Sequence, residues 1–353
     1  MASALFGSGY DRYPKASPVT NALTTEAIIA ELVRSTGATD TYAAIRIMAC
    51  DAIARYSAIF GVPTGPIDID ALASFLGIAR SDERPAHSKD AELVPIGDGR
   101  VSIRVNPDRP ETRTRFSTAH EVSHTFFPNY QAKTWCRTDA RFRSRNNPDD
   151  LLEMLCDVGA SELILPAPWF IKDASTVSTA VGLVELAKKY VASREATLRR
   201  FAESHERSLV AAFFSWKLKP TQKHTIGNLK QSSLFGIDPA ELALQSKRLR
   251  LDYSIPSPSF LKTGSYLPPD KSIANDGPLY MAASTGQPCD GECWLDLGRS
   301  AGTYQVLAIP VWTDDEDLGP NGENGVGAII EPINMNPSCH KASHEGDRLF
   351  DGT

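Results

Sequence analysis

The residues best suited to chemistry lie in one short segment, RFSTAHEVSH, at residues 115–124. It holds two of the chain's seven histidines, His120 and His124, with Glu121 directly after the first. In an α-helix, residues four apart lie on one face, so both imidazoles can point at one metal ion. Glu121 is turned by about 100° from His120, where it could act on a metal-bound water without being a ligand. The spacing therefore predicts a metal-dependent hydrolase site.

A helix is expected to carry this motif, because only a helix brings the two histidines to one face. Ser117 or Thr118 could cap its beginning, and Pro128 cannot continue it. The alternative is that two surface histidines have this spacing by chance. A chance H-E-x-x-H is expected in about one chain per hundred, so a third ligand has to decide between the two interpretations.

The third ligand is predicted in the segment NNPDDLLEMLCDVGASELILP, residues 146–166. Asn147 can cap a helix there, and Pro148 suits its first position. Glu153 lies on this helix, 29 residues (153 − 124) after the second histidine, and Asp157 follows one turn later. Alone, Glu153 would be read as a solvated helix acid. Beside the histidine helix it completes two histidines and a glutamate, and Asp157 can accept the free N–H of a ligand histidine.

Both segments resemble the ImmA/IrrE-type metallopeptidases, whose members show an R-F-t-x-A-H-E-x-x-H helix. A second helix of the form E-x-x-A/C-N/D-x-F-A-A-E-L-L-M-P follows it. The upstream segments PIDIDALASFLGI and VSIRVNP are similar to that family as well, and the resemblance covers residues 24–216. It implies a thermolysin-like peptidase with one Zn²⁺ per chain. The ligands would be His120, His124 and Glu153, and Glu121 would be the catalytic base.

The chain departs from the family pattern at several positions. Gly159 stands where a phenylalanine is usual, and Asp157 stands where asparagine is common. In the loop NYQAKTWCRTDARFRSR, Tyr130, Arg137 and Arg141 are candidates for contacts with the oxyanion or the substrate. A solvated basic loop is an equally good interpretation of that segment.

The predicted fold class is α+β, with a minimal thermolysin-like core and a small sheet. Residues 1–22 are rich in Gly, Ser and Pro and are predicted to be disordered. Residues 23–175 are predicted to form the zinc metallopeptidase domain, beginning with two amphipathic helices before residue 60 and a short helix through Leu72. A hairpin is expected near residues 93–105, because a Gly-Asp-Gly turn separates two β-like runs.

Residues 176–218 resemble a helix-turn-helix segment that relatives also carry after the peptidase core. Ser193 can cap its second helix, and a DNA-binding role would place Arg194, Arg199 and Arg200 against the duplex. Between residues 183 and 207, six Lys/Arg and four Asp/Glu give a net charge of +2. This is a weak charge for a groove-reading surface, so a structural or substrate-docking role is favoured over DNA binding.

Residues 219–353 are predicted to form a C-terminal α+β or β-rich domain. The composition after Lys217 is polar and proline-containing, as in SIPSPSF, and loops are expected there. The strand candidates are Leu279–Ala283, Trp294–Leu297, Tyr304–Trp312 and Val326–Pro332. Relatives of the radiation-response type carry a GAF-like sensory domain at this place, an expectation from analogy alone.

The same region holds a possible second metal site. The candidate ligands are Cys289, Cys293, Cys339, His340 and His344. The three-residue gap between the first two cysteines is unusual for zinc knuckles, and reduced thiols in a C-terminal tail are the simpler interpretation.

The composition limits the class of function. The net charge of −6 argues against a protein that coats nucleic acid or an anionic membrane. No apolar run is long enough to cross a bilayer, and no secretory signal is visible at the N-terminus. Six cysteines over 353 residues fit reduced thiols rather than a disulfide framework, so a cytoplasmic protein is expected.

The favoured function is a zinc-dependent endopeptidase that cleaves a specific protein partner. The family resemblance suggests a transcriptional repressor with a helix-turn-helix, or an antitoxin-like regulator. One alternative is a DNA-binding or sensory regulator with a structural zinc site, although structural sites are more often closed by four protein ligands. The other is an interaction module with degraded catalysis.

Overall fold

The structure is a computed structural model that describes residues 23–63, 65–86, 89–136, 144–219, 221, 246–296, 301–312 and 324–333. Helices and two separate sheets make up the described residues, and the predicted α+β class is confirmed. The first sheet and the helices around it hold the histidine motif. The second sheet follows in the chain.

The first three helices form at the positions that the sequence predicts. They are α1 (Thr25–Thr36), α2 (Thr41–Phe60) and α3 (Ile69–Phe75). Each begins after a side chain that accepts a backbone N–H bond of its first turn, from Thr24, Asp40 and Asp68 respectively. These caps satisfy amides that have no partner within the helix.

The first sheet has four strands in the order β1-β3-β2-β4. The strands are β1 (Ala79–Ser81), β2 (Ala91–Gly97), β3 (Arg100–Val105) and β4 (Trp135–Cys136). β2 and β3 form the predicted antiparallel hairpin, and its turn uses positive φ angles at Gly97, Asp98 and Gly99. Within the described residues, β4 covers two residues and pairs with the other side of β2.

Two long helices carry the predicted metal ligands: α4 (Glu111–His124) and α5 (Pro148–Ile164). α5 begins as predicted, because the Asn147 side chain accepts the Asp149 amide and a proline occupies its first turn. The predicted start of α4 at Ser117 or Thr118 is wrong. The helix already begins after Pro110, whose fixed φ suits the cap position, and both predicted caps are buried within it.

Gly159 lets α4 and α5 approach each other closely. A Cβ atom built at this position would lie 2.6 Å from the Ser123 Oγ and 2.9 Å from the Ser123 Cβ. Both distances are shorter than real side chains allow. Since α4 carries the histidines and α5 carries Glu153, the missing side chain sets the distance between the two halves of the predicted site.

Gly159→Ala is therefore expected to destabilise the protein by about 1–3 kcal/mol through overpacking, even though alanine favours a helix. Urea unfolding would measure the effect. Ser123→Gly removes both clashing atoms, so the double variant Gly159→Ala/Ser123→Gly should be more stable than the sum of the two single variants. A Gly159→Ala protein as stable as the parent would show that the helices can separate without cost.

Three helices connect the first sheet to the second. They are α6 (Ala167–Ala174), α7 (Ala180–Tyr190) and α8 (Arg194–Ser204). α7 and α8 are the predicted helix pair: Val191 adopts a left-handed conformation in the turn, and the Ser193 side chain caps α8 by accepting the Ala196 amide.

The second sheet has five antiparallel strands in the order β6-β5-β9-β8-β7. The strands are β5 (Val210–Lys217), β6 (Arg248–Pro256), β7 (Cys289–Asp296), β8 (Ala301–Val311) and β9 (Gly325–Pro332). A short helix α9 (Pro258–Leu261) and a longer helix α10 (Gly277–Thr285) lie between β6 and β7. The domain boundary after residue 218 stays a prediction. The strand just before it is hydrogen-bonded to strands on both sides.

Both faces of the second sheet are buried, which explains the continuous apolar runs in β5, β8 and β9. One face belongs to the same core as the helices around the histidine motif, with Phe213, Ile309 and Ile329 packed among them. The opposite face packs under α10 through Leu279 and Ala282. The first face therefore joins the metal-site helices and the second sheet in one core.

The strand predictions for the C-terminal region are confirmed near residues 294, 304 and 326, whereas one strand prediction and one loop prediction are wrong. Leu279–Ala283 lies within α10, because Pro278 occupies the first turn of a helix whose buried residues follow a helical spacing. The loop expected around SIPSPSF is also wrong at its beginning. Ser254 to Pro256 belong to β6, which pairs with the whole length of β5.

No single helix among the described residues has both the length and the apolar composition needed to span a bilayer.

Candidate metal centre

α4 and α5 bring five predicted site residues together. The His120 Nε2 lies 3.2 Å from the Glu153 Oε2, and the His124 Nε2 lies 3.5 Å from the Glu153 Oε1. The other nitrogen of His120, Nδ1, lies 2.9 Å from the Asp157 Oδ1. The two imidazoles stand edge to face with their centroids 5.0 Å apart. Both Nε2 atoms therefore face one carboxylate, as the helix spacing predicts.

The polar atoms of this cluster are buried without adequate partners. His120 and Glu121 are fully buried, and His124 and Glu153 are 1% and 7% exposed. Among the described residues, neither Nε2 atom and neither carboxylate oxygen of Glu121 has a well-formed hydrogen bond. Buried polar groups without partners are costly unless another group satisfies them. Two unpaired imidazole nitrogens beside carboxylates are a donor set that fits a divalent cation.

The ionisable groups of the cluster are strongly shifted by their surroundings. Burial by itself would lower the pKa of His120, but the nearby carboxylates of Asp157 and Glu153 outweigh it and raise the pKa to about 9. Burial lowers the pKa of His124 to about 3, against the opposing charge of Glu153. Burial also raises the pKa of Glu121 to about 8. The surroundings thus shift the pKa values of the two neighbouring histidines in opposite directions. Strongly shifted pKa values are common at functional sites.

Cys156 is a further member of the cluster. Its Sγ lies 3.3 Å from the Nδ1 of His124, and the residue is buried. His120, His124 and Cys156 offer three ligand atoms that all lie within 4.8 Å of one another and could hold a metal ion. The predicted set of His120, His124 and Glu153 competes with this one.

The geometry of the ring nitrogens favours Glu153 as the third ligand. Asp157 already bonds the Nδ1 of His120, so only the Nε2 of that ring can bind a metal, and this atom faces Glu153. Cys156 lies on the Nδ1 side of His124, opposite to the nitrogen that faces Glu153. In this arrangement Cys156 orients His124 much as Asp157 orients His120.

The two ligand sets predict different effects of substitutions on zinc affinity. If Glu153 is the ligand, Glu153→Ala should weaken zinc binding far more than Cys156→Ala, because orienting residues typically contribute about 10–100-fold in affinity. Competition with a chromophoric zinc chelator would measure both affinities. Cys156→Ser, which keeps a hydrogen-bonding group near Nδ1, is the matched control. A larger loss in Cys156→Ala than in Glu153→Ala would assign the thiol as the ligand.

Glu121 lies beside the two histidines without contacting them as a ligand would. Its Oε2 is 3.9 Å from the Nε2 of His124, beyond hydrogen-bonding distance. The backbone of Leu93 on β2 lies close enough to lower the pKa of this carboxyl slightly. The predicted base therefore lies between the histidine cluster and the first sheet.

One side of the cluster is covered by the segment that includes β4. The Trp135 indole stacks on the His124 imidazole, with centroids 4.9 Å apart and an interplanar angle of 25°. The Trp135 Nε1 donates to the Tyr130 carbonyl at 2.6 Å, and the Lys133 Nζ lies 4.2 Å from the centroid of the indole. Trp135 itself is only 6% exposed.

The other predicted site residues have different outcomes. Tyr130 lies in a short 3₁₀ turn and is half-buried, and its backbone carbonyl accepts the hydrogen bond of the Trp135 indole. Arg137 and Arg141 lie outside the described residues. Two residues near the cluster were missed: Cys156 stood in the quoted helix motif one turn after Glu153, whereas nothing in the local sequence indicated that Trp135 would reach a histidine.

Two of the five candidate ligands of the possible second metal site lie within the described residues. Cys289 and Cys293 lie on the same strand, β7, where residues four apart are separated by about 13 Å, too far to share one ion. Cys339, His340 and His344 lie outside the described residues.

A buried H-E-x-x-H helix, a second helix that brings a glutamate to the histidines, and a small sheet are the parts that the sequence analysis expects of a metallopeptidase. Residues 79–202 match the model of the IrrE N-terminal-like domain of the M78 peptidases. The predicted ImmA/IrrE-type resemblance is confirmed for this segment, which contains both ligand helices.

A search of curated proteins finds no match. A solved structure described as a Mycobacterium tuberculosis transcriptional regulator is similar to this chain at 12% sequence identity and a TM-score of 0.47. The alignment covers 87% of this chain and 93% of that one.

Proposed function

We propose that the protein is a zinc-dependent endopeptidase that cleaves a specific protein partner in the cytoplasm. The proposed substrate class is a transcriptional repressor with a helix-turn-helix, or an antitoxin-like regulator. One observation carries the proposal: the Nε2 atoms of His120 and His124 face the carboxylate of Glu153, with the buried Glu121 beside them.

The chemistry of the donors supports zinc. Two imidazole nitrogens and one carboxylate are the ligands of a catalytic zinc site, which keeps one position for water. When bound, zinc lowers the pKa of that water towards about 7 and polarises the peptide carbonyl. Asp157 accepts the N–H of the His120 Nδ1, and this bond holds the ring in the tautomer that presents a lone pair at Nε2.

Glu121 is proposed to move the protons of the reaction. Its carboxylate would accept a proton from the attacking water and then give it to the leaving amine. Burial raises the pKa of this carboxyl above its ordinary value, and a more basic carboxylate accepts a proton more readily. A purely structural zinc site would not require an unpaired acid beside it.

The alternative of a DNA-reading helix is disfavoured by contacts of α8. Arg194 donates to the Pro310 carbonyl at 3.0 Å. Arg199 pairs with Glu195 at 3.5 Å, and Arg200 is buried in a salt bridge. The three arginines expected at a DNA surface thus make contacts within the protein. These contacts support the structural role that the net charge of the segment favoured.

The test combines zinc with candidate partners. The purified protein would be loaded with zinc and incubated with the products of neighbouring genes, beginning with any small helix-turn-helix repressor. We expect defined fragments that disappear on chelation and return when zinc is added again. His124→Ala, which removes one proposed ligand, is the control. Fragments that persist after chelation and in His124→Ala would reject a metal-dependent activity of this site.

A further inference from the structure

We propose that a cavity between the metal-site helices and the second sheet binds a small organic anion, and that the bound anion strengthens zinc binding through Asp157. The cavity has a volume of about 660 Å³, and small-molecule sites in proteins usually have volumes of about 300–1,000 Å³. Its walls come from α2, α4, α5, α8 and β6. A space of this size between five elements suits a small molecule better than a protein segment.

The cavity is separate from the metal cluster. Neither histidine of the cluster lines it, and neither Glu121 nor Glu153 does, whereas Asp157 lies on its wall. α5 contributes to both sites, with one face turned towards the histidines and another towards the cavity. A ligand in the cavity would therefore lie beside the metal site rather than on it.

Arginine side chains supply the positive charge of the cavity. Among the described residues, five arginines and three acidic residues line it. The side chains of Arg46 and Arg199 are 44% and 46% exposed, and they lie 3.2 Å from Glu162 and 3.5 Å from Glu195. A guanidinium group has five N–H donors, and a carboxylate accepts two of them in a fork-like pair. Both arginines therefore keep donors for the oxyanion of a ligand.

Two of the three acidic residues of the cavity are already engaged. Glu195 accepts hydrogen bonds from the Tyr253 hydroxyl and from the Trp312 Nε1, the latter at 2.6 Å. The Asp157 Oδ1 lies 2.9 Å from the His120 Nδ1. The third acidic residue, on α8, is exposed. The guanidinium groups are thus the charged groups best placed to bind a ligand, and they select an anion.

Much of the remaining wall is apolar. Phe116 on α4, Val158 on α5 and Ile255 on β6 line the cavity, and so do Tyr42 and Trp312. Apolar walls favour a ligand with apolar surface, because binding removes that surface from water. Arginines beside apolar walls fit a molecule with an apolar body and a terminal oxyanion, which is either a carboxylate or a phosphate.

Asp157 links the cavity to the metal site. Its side chain is 26% exposed on the cavity wall, and its carboxylate contacts the proposed ligand His120. A bound anion adds negative charge near the metal position, and charges interact strongly where water is scarce. We expect zinc and the anion to raise each other's affinity by the same factor, because such coupling is reciprocal. This coupling rests on the proposed zinc ligands, whereas anion binding does not.

Anion binding is tested in the metal-free protein with the fluorescent aromatic anion anilinonaphthalene sulfonate. We expect octanoate or phenyl phosphate to displace the dye, and the stronger competitor assigns the oxyanion as carboxylate or phosphate. Octanol lacks the charge and inorganic phosphate lacks the apolar body, so neither should displace the dye at the same concentration. Equal displacement by either of them, or no displacement by both organic anions, would overturn the site.

Two variants locate the bound dye. Arg46→Gln should weaken dye binding about tenfold or more, because a hydrogen bond between charged groups is lost. Ser161→Phe should weaken it by filling the cavity that Ser161 lines. Arg100→Gln is the matched control, since it removes the same charge from a side chain that is 66% exposed on the β2–β3 turn. Parental affinity in both cavity variants would overturn the site, and unchanged melting temperatures without ligand confirm that the variants are folded.

The coupling is tested by zinc affinity, measured by competition with a chromophoric chelator. Octanoate or phenyl phosphate, whichever displaces the dye, should raise the zinc affinity about fivefold or more. Ser161→Phe should lose this response. The same zinc affinity with and without the anion would overturn the coupling through Asp157. A protein that shows the coupling but cleaves no partner would confirm this inference and reject the proposed peptidase function.

Discussion

Glu121→Gln is expected to abolish cleavage while leaving zinc in place. Loss of a positioned general acid–base group typically lowers the rate by about 10²–10⁴-fold. Glutamine has nearly the same shape as glutamate but cannot accept the proton of the attacking water. Glu121 lies 3.9 Å from the nearest nitrogen of His124 and is not a proposed ligand, so its replacement should not disturb the metal.

The measurement pairs zinc content by elemental analysis with the cleavage rate on the same sample. His120→Ala should lose zinc as well as activity, which distinguishes a ligand from a base. Because Glu121 is fully buried, a neutral amide at this position should not harm folding, and the melting temperature checks this. A Glu121→Gln protein that cleaves at the parental rate would reject the proposed base.

Glu162→Ala is expected to have the largest effect on stability. The Glu162 carboxylate on α5 contacts the buried Arg200 of α8, and the Arg46 Nε lies 3.2 Å from it on the other side. Arg200 also donates to the Leu165 carbonyl at 3.2 Å. Removing the carboxylate would leave a buried guanidinium without its counter-charge. Loss of one partner of a buried ion pair typically costs about 3–5 kcal/mol.

A double variant tests whether the cost comes from the uncompensated charge. In Glu162→Leu/Arg200→Met both charges are replaced by apolar groups of similar size, and such replacements are often neutral or stabilising. Arg46 also loses its partner, but its side chain is 44% exposed and can be solvated. Urea unfolding of the single and double variants would measure the difference. If the double variant is as unstable as Glu162→Ala, the carboxylate acts through its shape rather than through its charge.

The sequence predicts the parts of the site that depend on one helix at a time. The spacing of His120 and His124 fixes their common face, and Asn147 and Pro148 fix the start of α5 five residues (153 − 148) before Glu153. The approach of the two helices required one long-range inference, from the need of the two histidines for a third ligand, which the family resemblance then supported. Its physical basis in Gly159, which removes a side chain where the helices meet, became clear only from the packing.

The other parts of the site and of the fold depend on contacts between distant segments, which local sequence patterns do not encode. Trp135 reaches His124 because β4 pairs with a strand more than forty residues earlier in the chain. Arginine is usually a surface residue. Arg200 is nevertheless buried, because α5 and a later sheet pack around its helix. The strand predicted at Leu279–Ala283 failed for a different reason: short apolar runs fit both a strand and a buried helix.

The core shared by the metal-site helices and the second sheet limits how the chain can be divided. A truncated protein ending near residue 175 would expose Leu165 and Phe170 to water, because both belong to that shared core. It would also leave Glu162 without Arg200. The segment with the histidine motif is thus continuous in sequence but shares its core with later residues, and assays on an excised fragment are expected to report its instability rather than its chemistry.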